Sequence, residues 1–361
     1  MVFKELGDYS QLLQRQNIQV NSYYLGVDIG GTNTRVVYAT ENGDYYFIQK
    51  FQCTNVSTLV ATLSIIFDGM KQKGFPDPTY VVIDLAGPHI STNNYKVTNY
   101  EINDSLLDVT KLPWRRDIIS VLNDLESGAY GIVPFILADK VDDLFCPLSG
   151  EKKQLDKGVF AVLAAGTGLG VGLISYNKNR YEVIPSEFGH ISIATVDAAT
   201  ELPLFEKLKP KTLESDPNRN NLNLEYEDIV SGRGIKWLYE VLKKPEEPVL
   251  QSHEVATKAI QNLGNQDCGC VKALFNHYKY LFRAAKEVGV GVFSSGVYLM
   301  GDNIVKNSAI IEKFRNELVA EYQNHYKKDW LLKMPIYTQK VEINLNLIGC
   351  IYYAVKLSQT K

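Results

Sequence analysis

The feature that most constrains the fold is a strand–glycine turn–strand unit that occurs twice. In the first copy, apolar residues 25–29 lead into the turn 30–33 (GGTN), and residues 34–38 lead out. In the second, residues 159–164 run into the glycine-rich turn 165–170, and an apolar strand follows. Two strands joined by a tight glycine turn predict a β-hairpin. The repetition predicts two related domains that face one another across a cleft, each offering one such hairpin.

The first turn has the chemistry of a phosphate site. Gly30 and Gly31 carry no side chain and tolerate positive φ, so the backbone can come close to a ligand. Successive N–H groups in such a turn form an anion-binding concavity, and Thr32 and Asn33 add donors at its tip. Asp28, which precedes the turn, could hold a hydrated Mg²⁺ beside that phosphate. An ordinary hairpin is the alternative for this motif taken alone, and the second glycine-rich turn argues against it.

Composition bounds the class of protein. A chain of 361 residues suggests two domains, and a net charge of −3 gives no sign of a nucleic-acid or membrane partner. The five cysteines are an odd number at scattered spacings, which argues against a disulfide framework and fits a reducing compartment. The N-terminus has no apolar core of a secretory signal. These features predict a cytoplasmic location, with an organelle left open.

Hydrophobic periodicity predicts an α/β fold in which a mixed sheet carries packed helices. Residues 1–22 predict a short amphipathic helix, an N-terminal arm. Residues 89–117 are polar and loop-like, and residues 205–226 resemble a surface insertion. The strands are predicted at residues 24–28, 34–39, 45–51, 80–86, 118–122, 159–164, 171–174 and 290–300. The helices are predicted at residues 56–73, 126–132, 235–242, 256–262, 271–288, 309–324 and 345–357.

The pair Asn123-Asp124 follows the strand at residues 118–122 directly. Ligands in α/β sheets collect outside the carboxyl ends of strands, so this pair is a candidate for chemistry. The alternative for Asp124 is an N-cap of the next helix, because an aspartate side chain accepts from the first free backbone N–H groups. Pro134, just after the helix predicted at residues 126–132, is a plausible domain boundary.

Taken together, these segments resemble the sugar kinases of the actin/Hsp70/hexokinase superfamily, and within them the bacterial-type glucokinase family, which also occurs in protists. The two glycine turns alone are typical of the whole superfamily. The resemblance spans residues from about 24 to the end and is carried by more specific segments in the same order. These are residues 122–124 (LND), 186–190 (SEFGH), 227–232 (EDIVSG) and 345–349 (LNLIG).

The resemblance implies ATP-dependent phosphorylation of glucose at its 6-hydroxyl. In that family the aspartate of the Asn-Asp pair is the catalytic base, which is Asp124 here; a carboxylate within reach of the attacking hydroxyl takes its proton as the phosphoryl group transfers. The sugar hydroxyls need paired donors and acceptors, because every buried hydroxyl must be satisfied. The residues that the resemblance assigns to sugar binding are Asn99, Asn123, Asp124, Glu187, His190 and Glu227.

The resemblance also implies ATP and Mg²⁺ as cofactors. Asp28 would meet Mg²⁺ through water. Many family members carry Gly-Gly where this chain has Gly301-Asp302, so the selectivity for the phosphoryl donor stays open. The residues assigned to the nucleotide are Asp28, Gly30, Gly31, Thr32, Asn33, Gly166, Thr167, Gly168, Gly232 and Gly301. Cys268 and Cys270 lack a four-ligand spacing and are predicted to be free thiols.

The implied fold is the two-domain actin-like (ribonuclease H-like) α/β architecture with a cleft that closes on glucose. Residues 1–134 plus 341–361 would form a small domain and residues 135–340 a large one. Two alternatives stay open: a kinase of another hexose or an amino sugar, and a non-catalytic sugar- and ATP-binding sensor. A sensor needs no base, so Asp124 favours an enzyme. Expected partners are glucose and ATP, without nucleic acid or membrane, and the sequence leaves a homodimer open.

Overall fold

The computed structural model describes residues 5–8, 22–30, 33–98, 100–150, 158–177, 180–216, 219 and 223–359. The chain divides into two compact units, unit 1 (Met1–Val141 and Ile343–Lys361) and unit 2 (Asp142–Glu342). The division at residues 134/135 and 340/341 stays a prediction. Within the described part of the chain, no helix combines the length and the apolar character that crossing a bilayer requires.

The described strands, in chain order, are β1 (Glu5–Asp8), β2 (Tyr24–Ile29), β3 (Asn33–Ala39), β4 (Tyr45–Gln52), β5 (Tyr80–Leu85), β6 (His89–Ser91), β7 (Asn94–Lys96), β8 (Leu106–Asp108), β9 (Ile119–Asn123), β10 (Phe145–Ser149), β11 (Gly158–Ala165), β12 (Leu169–Asn177), β13 (Arg180–Ser186), β14 (Gly296–Met300) and β15 (Ile336–Gln339).

The described helices are α1 (Val56–Gln72), α2 (Asp124–Leu137), α3 (Val141–Leu144), α4 (Ala198–Ser215), α5 (Tyr226–Ile229), α6 (Gly232–Leu242), α7 (Ser252–Gln261), α8 (Gly269–Gly291), α9 (Asp302–Lys306), α10 (Ser308–Lys313), α11 (Arg315–Gln323), α12 (Lys328–Leu331) and α13 (Leu345–Gln359). Short 3₁₀ turns occur at Ile102–Asp104, Val109–Lys111, Arg116–Ile118 and Phe188–His190.

Unit 1 is built on a six-stranded mixed sheet in the order β1-β4-β3-β2-β5-β9. The hairpin β2–β3 is antiparallel, whereas β2, β5 and β9 run parallel. The strands β2 and β5 are buried along their whole length, as expected for near-continuous apolar strands at the centre of a sheet. The carboxyl ends of β2, β5 and β9 therefore meet at one edge.

Helices α2 and α13 pack against each other at unusually short range in unit 1. A Cβ on Gly131 would clash with the carbonyl oxygen of Leu345, and one on Gly349 would clash with that of Ser127. Only glycine permits this approach of two backbones. Leu345, the first residue of α13, therefore lies beside Gly131 in the middle of α2, and Gly349 lies beside Ser127 in the first turn of α2, which Asp124 begins.

Unit 2 contains a second six-stranded sheet in the order β10-β15-β14-β11-β12-β13. The hairpin β11–β12 is antiparallel, and β11, β14 and β15 are parallel, so this sheet repeats the β2–β3–β5 arrangement of unit 1. Ala164 of β11 is aligned with Met300 of β14, which brings the glycine turn after β11 next to Gly301 after β14.

A buried ion cluster ties helices α4, α8 and α11 together in unit 2. Arg283 of α8 is completely buried; its Nε lies 2.6 Å from Glu321 Oε1 and its Nη1 lies 3.0 Å from Glu201 Oε2. Buried charges are tolerated only when they are paired in this way. The cluster anchors α4 to the long helix α8.

Two predictions in unit 1 are wrong. Residues 5–8 form the strand β1, parallel to β4, and not the start of an amphipathic helix; residues 9–21 of the predicted arm lie outside the described residues. Between residues 89 and 108 the chain forms the small antiparallel sheet β6-β7-β8 and not a loop. Both strand pairings depend on partners that local spacing does not reveal. The helix around Pro134 continues to Leu137.

Three predictions in unit 2 are also corrected. Residues 290 and 291 belong to α8, so the strand predicted from residue 290 begins only at Gly296. The single helix predicted at residues 309–324 is two helices, α10 and α11. Residues 205–215 belong to α4 and bury Phe205 and Leu208, so the segment is not a surface insertion throughout.

Candidate active site

Three carboxylates lie along the carboxyl edge of the unit 1 sheet. Asp28 of β2 is aligned with Asp84 of β5, and Asp84 is aligned with Leu122 of β9. Asp124 follows two residues after Leu122 as the first residue of α2. The topology thus brings together an acid that the sequence assigned to the nucleotide and one that it assigned to catalysis.

Asp28 is nearly buried and its orientation is fixed by two donors. Its Oδ2 accepts from Arg35 Nη1 at 2.9 Å and from Asn344 Nδ2 at 2.8 Å. Arg35 belongs to the outgoing strand of the same hairpin, and Asn344 immediately precedes α13. Two donors on one oxygen hold this side chain in a single orientation beside the first glycine turn.

Asp84 is an acid that the sequence analysis did not select. It is 1% exposed, and Asn346 Nδ2 donates to its Oδ2 at 2.9 Å. Burial raises the pKa of Asp84 well above its usual range, and the charges of Asp28 and Asp124 raise it further; the hydrogen bond from Asn346 and the nearby Ser127 hydroxyl offset this only in part. The surroundings of Asp84 therefore favour its protonated form over a wider pH range than for an ordinary aspartate.

The N-cap of α2 is Asn123. Its Oδ1 accepts from the N–H of Glu126 at 2.6 Å, while Asp124 Oδ1 accepts from the N–H of Leu125 at 3.0 Å. The capping alternative considered for Asp124 therefore belongs to the residue before it. Asp124 lies within the positive end of the helix, where the backbone dipole favours an ionised carboxylate.

The first glycine turn is described only in part. The N–H of Gly30 donates to the carbonyl oxygen of Asn33 at 3.0 Å, which closes the turn as the hairpin pattern predicts. Gly31, Thr32 and the sugar-side candidate Asn99 lie outside the described residues.

The second glycine turn, in unit 2, is held by three contacts. The N–H of Gly166 donates to Gly168 O at 2.8 Å, and Gly166 O accepts from the N–H of Gly232 at 2.9 Å. Asn303 Nδ2 donates to Ala165 O at 3.2 Å. The turn, which includes Thr167, is thereby tied to the first residue of α6 and to the helix that follows Gly301.

Gly301 adopts a conformation that favours glycine. Its φ of 109° lies in a region that L side chains rarely adopt, and its N–H donates to Gln339 Oε1 at 2.8 Å. Asp302, next in the chain, has its Oδ2 3.5 Å from Lys306 Nζ. The structure therefore gathers Gly166, Gly168, Gly232 and Gly301 at one edge of the unit 2 sheet.

Glu227 contacts the second glycine turn, and it also lies close to His190. Its Oε2 accepts from the N–H of Leu169 at 3.1 Å, and its Oε1 accepts from Arg233 Nη2 at 2.9 Å. A Cβ on Gly168 would meet the Glu227 carboxylate, so any larger residue at that position would push this side chain aside. Glu227 is therefore fixed directly against the glycine turn.

His190 lies next to this acid. Its Nε2 is 3.9 Å from Glu187 Oε2 and 4.0 Å from Glu227 Oε2, and its Nδ1 is 2.9 Å from Glu225 Oε2. Burial alone lowers the pKa of His190, but the hydrogen bond to Glu225 and the charges of Glu227, Glu225 and Glu187 outweigh it and raise the pKa above the usual value. The structure thus brings the predicted Glu187, His190 and Glu227 together.

The glucokinase family model matches residues 25–343 of this chain. Glucokinase 1 of Trichomonas vaginalis is 32% identical over 354 residues, which cover 91% of this chain and 92% of that protein. The chain belongs to the glucokinase family. Probable glucokinase 2 of the same organism is also 32% identical, over 356 residues. The family resemblance deduced from the motifs is confirmed.

Solved structures of the glucokinase family share the fold. A glucokinase from Balamuthia mandrillaris, solved in complex with glucose, is 30% identical with a TM-score of 0.83 and matches 96% of this chain and 98% of that one. A Leishmania braziliensis glucokinase, 21% identical with a TM-score of 0.79, matches 99% and 100% of the two chains. The predicted actin-like two-domain α/β fold is confirmed.

Several polar residues near the candidate residues of each unit escaped the sequence analysis. In unit 1, Asn344 and Asn346 lie just before and within α13, where asparagines at alternate positions were a visible signal, whereas Asp84 lies within the buried strand β5. Those in unit 2 lie within or just before the Glu227 segment, or on helices whose registry the sequence does not show. They are Asp84, Asn344, Asn346, Arg219, Glu225, Arg233 and Asn303.

Proposed function

We propose that this chain transfers the γ-phosphoryl group of ATP to the 6-hydroxyl of glucose, giving glucose 6-phosphate and ADP. The proposal is supported above all by the position of Glu227. Its Oε2 accepts from the N–H of Leu169 in the glycine turn and lies 4.0 Å from His190 Nε2. A group of hydroxyl-binding side chains is thus built directly onto a phosphate-type turn. Phosphoryl transfer to a sugar requires that juxtaposition, because catalysis here is mostly positioning.

On the sugar side, unit 2 contributes Glu187, His190 and Glu227. The two carboxylates accept from sugar hydroxyls, and the imidazole supplies the complementary donor. Unit 1 contributes Asn123, whose amide N–H groups donate to a hydroxyl oxygen, and Asn99 belongs to the same proposal. Charge-assisted hydrogen bonds of this kind are the strong ones, which suits recognition of a small neutral ligand.

Asp124 is the proposed general base. As the 6-oxygen bonds to the γ-phosphorus, the bond from that phosphorus to the β,γ-bridging oxygen breaks, and the hydroxyl proton passes to the Asp124 carboxylate. Because the side chain of Asn123 caps the helix, Asp124 is not needed as the N-cap. The helix N-terminus favours the ionised carboxylate that such a base requires.

The phosphates of ATP are proposed to meet the N–H groups of the two glycine turns, with Gly232 and Gly301 beside the adenosine. Mg²⁺ neutralises charge on the transferring phosphoryl group when it is bound. Asp28 fits such an ion through water: its Oδ2 accepts from Arg35 and Asn344, which leaves Oδ1 to accept from a metal-bound water. Residues Gly30, Gly31, Thr32, Asn33, Gly166, Thr167 and Gly168 complete the proposed phosphate contacts.

The experiment is a coupled assay that measures ADP release with glucose, mannose, fructose and glucosamine, and with ATP replaced by other nucleoside triphosphates. We expect turnover with glucose, MgATP and no other addition. Faster turnover with the amino sugar than with glucose would instead support the alternative, a kinase of an amino sugar. No ADP release above background with any of the four sugars would overturn it.

The remaining features of the proposal are the domain limits at residues 134/135 and 340/341, a cytoplasmic location and the oligomeric state. Light scattering on the purified chain decides between a monomer and the homodimer that the sequence left open. Limited proteolysis locates the domain limits, because cleavage concentrates where few contacts cross a boundary.

A further inference from the structure

Glu225 is a carboxylate that touches the site without belonging to any motif of the sequence analysis. It immediately precedes α5, and its Oε2 lies 2.9 Å from His190 Nδ1. Its side chain is only 22% exposed, whereas the His190 side chain is half exposed. The acid therefore approaches the ring from the interior, on the side away from Nε2.

Glu225 is itself held in place from two directions. Its Oε1 lies 3.2 Å from Arg219 Nη2, while Arg219 Nη1 donates to Asp228 Oδ1 at 2.7 Å. The backbone N–H of Glu225 donates to the other Asp228 oxygen, Oδ2, at 2.8 Å. Arg219 thus holds the carboxylate of Glu225, and the buried Asp228 holds its backbone. With both fixed, the Glu225 side chain has little rotational freedom and presents a constant acceptor to the imidazole.

We propose that Glu225 is a positioning residue for sugar binding: it accepts the Nδ1–H of His190 and favours the imidazolium form, so that Nε2 faces the sugar as an N–H donor when glucose binds. The inference rests on the proposed function, in which His190 contacts glucose. It adds which ring nitrogen makes that contact and in which protonation state. With Nε2 as a donor, His190 complements Glu187 and Glu227, which can only accept.

The charges around His190 agree with this assignment. The hydrogen bond to Glu225 and the charges of Glu227, Glu225 and Glu187 raise the pKa of His190 against the lowering effect of burial. The nearby arginines pair with these same acids: Arg219 with Glu225, and Arg233 with Glu227. Because the ring is protonated below its pKa, glucose affinity should be highest there and fall as the pH rises through it.

The test compares Glu225→Ala, Glu225→Gln and the control Glu206→Gln. Glu206 pairs with Lys209 on the exposed face of α4, so its variant removes an equal charge away from the site. Two quantities are measured at several pH values on both sides of neutrality: the His190 pKa by NMR without sugar, assigned with His190→Gln, and glucose affinity by intrinsic fluorescence. Steady-state kinetics add kcat and KM.

For Glu225→Ala we expect a lower His190 pKa and glucose affinity weakened roughly ten-fold, because a charge-assisted hydrogen bond that orients the donor is lost. KM should rise while kcat stays near that of the parent. The glutamine variant keeps an acceptor for Nδ1–H but not the charge. It should retain most of the affinity at acidic pH and lose it at a lower pH than the parent does.

The inference is overturned if the parent binds glucose and Glu225→Ala binds it with the same affinity and the same pH dependence. It is also overturned if the His190 pKa is unchanged in both Glu225 variants. If the parent binds no glucose, the proposed function fails instead, and the sugar-free NMR titration still measures the effect of Glu225 on the ring. Circular dichroism checks the fold; should the alanine variant unfold, the glutamine variant carries the same comparison.

Discussion

At the scale of single residues, Asp84 and Asp124 lie at one sheet edge in surroundings that act in opposite directions on the ionisation of a carboxyl group. Asp84 is buried and its pKa is raised, first by burial and then by the charges of Asp28 and Asp124. Asp124 is at the start of α2, where the helix favours an anion. Burial and like charge thus favour the neutral form of Asp84, while the helix start favours the ionised form of Asp124 that the proposed base requires.

The substitution Asp124→Asn tests this assignment. The amide is nearly isosteric and Asn123 still caps the helix, so we expect the fold and glucose binding to survive. An amide cannot take the 6-hydroxyl proton, so kcat at saturating glucose and MgATP should fall by about 10²–10⁴-fold. Circular dichroism and a glucose titration come first as controls. A kcat within a few-fold of the parent would remove Asp124 as the base.

The substitution Asp84→Asn tests the protonation of its neighbour. At acidic pH both the folded and the unfolded chain hold the Asp84 proton, so the ionisation of Asp84 makes no contribution to the free energy of unfolding. As the pH rises past the unfolded pKa, only the folded chain keeps the proton, and the folded state is progressively penalised. We expect Asp84→Asn to be more stable than the parent near neutral pH, with the difference shrinking towards acid. Urea denaturation at several pH values measures this, and a difference that is constant with pH would contradict it.

At the scale of elements, the glycine contacts between α2 and α13 are the most sensitive part of unit 1. In Gly349→Ala the new Cβ meets the carbonyl oxygen of Ser127, so the helices must separate. Overpacking of this kind costs roughly 1–3 kcal/mol. Because Asp124 is at the start of α2, kcat should fall together with the unfolding midpoint. The matched control is Gly69→Ala in α1, where a Cβ meets nothing within 4 Å and the helix should gain roughly 0.5–1 kcal/mol. Equal effects in both variants would contradict the prediction.

The elements also show what a single sequence can reveal. The hairpins β2–β3 and β11–β12 were predictable because glycine turns and apolar runs are local signals. Short motifs selected the candidate site residues Asn123, Asp124, Glu187, His190 and Glu227, whose roles stay predictions. The strand β1 was missed because its pairing with β4 depends on residues far along the chain. Glu225 and Asp84 were missed for the same reason: their importance comes from His190, Arg219 and Asn346, which the fold and not the spacing brings to them.

At the scale of the whole molecule, unit 2 is one continuous segment, Asp142–Glu342, whereas unit 1 needs both Met1–Val141 and Ile343–Lys361. The returning segment is mainly α13, which buries aliphatic side chains against the unit 1 core. Burying each large one is worth about 1.5–3 kcal/mol, and a whole domain is stable by only about 5–15 kcal/mol. The large aliphatic residues concerned are Leu345, Leu347, Ile348 and Ile351.

A chain that stops after Glu342 should therefore lose unit 1 selectively. It also loses Asn344 and Asn346, which hold Asp28 and Asp84. We expect fast hydrogen exchange and proteolysis throughout β2, β5 and α2, no turnover, and slow exchange kept in the core of unit 2, whose Arg283 cluster lies entirely within it. Hydrogen exchange followed by mass spectrometry reads both units in one sample. A chain ending at Gln359 is the matched control and should behave as the parent does. Protection of β2 and β5 equal to that of the parent would show that unit 1 folds without its C-terminal helix.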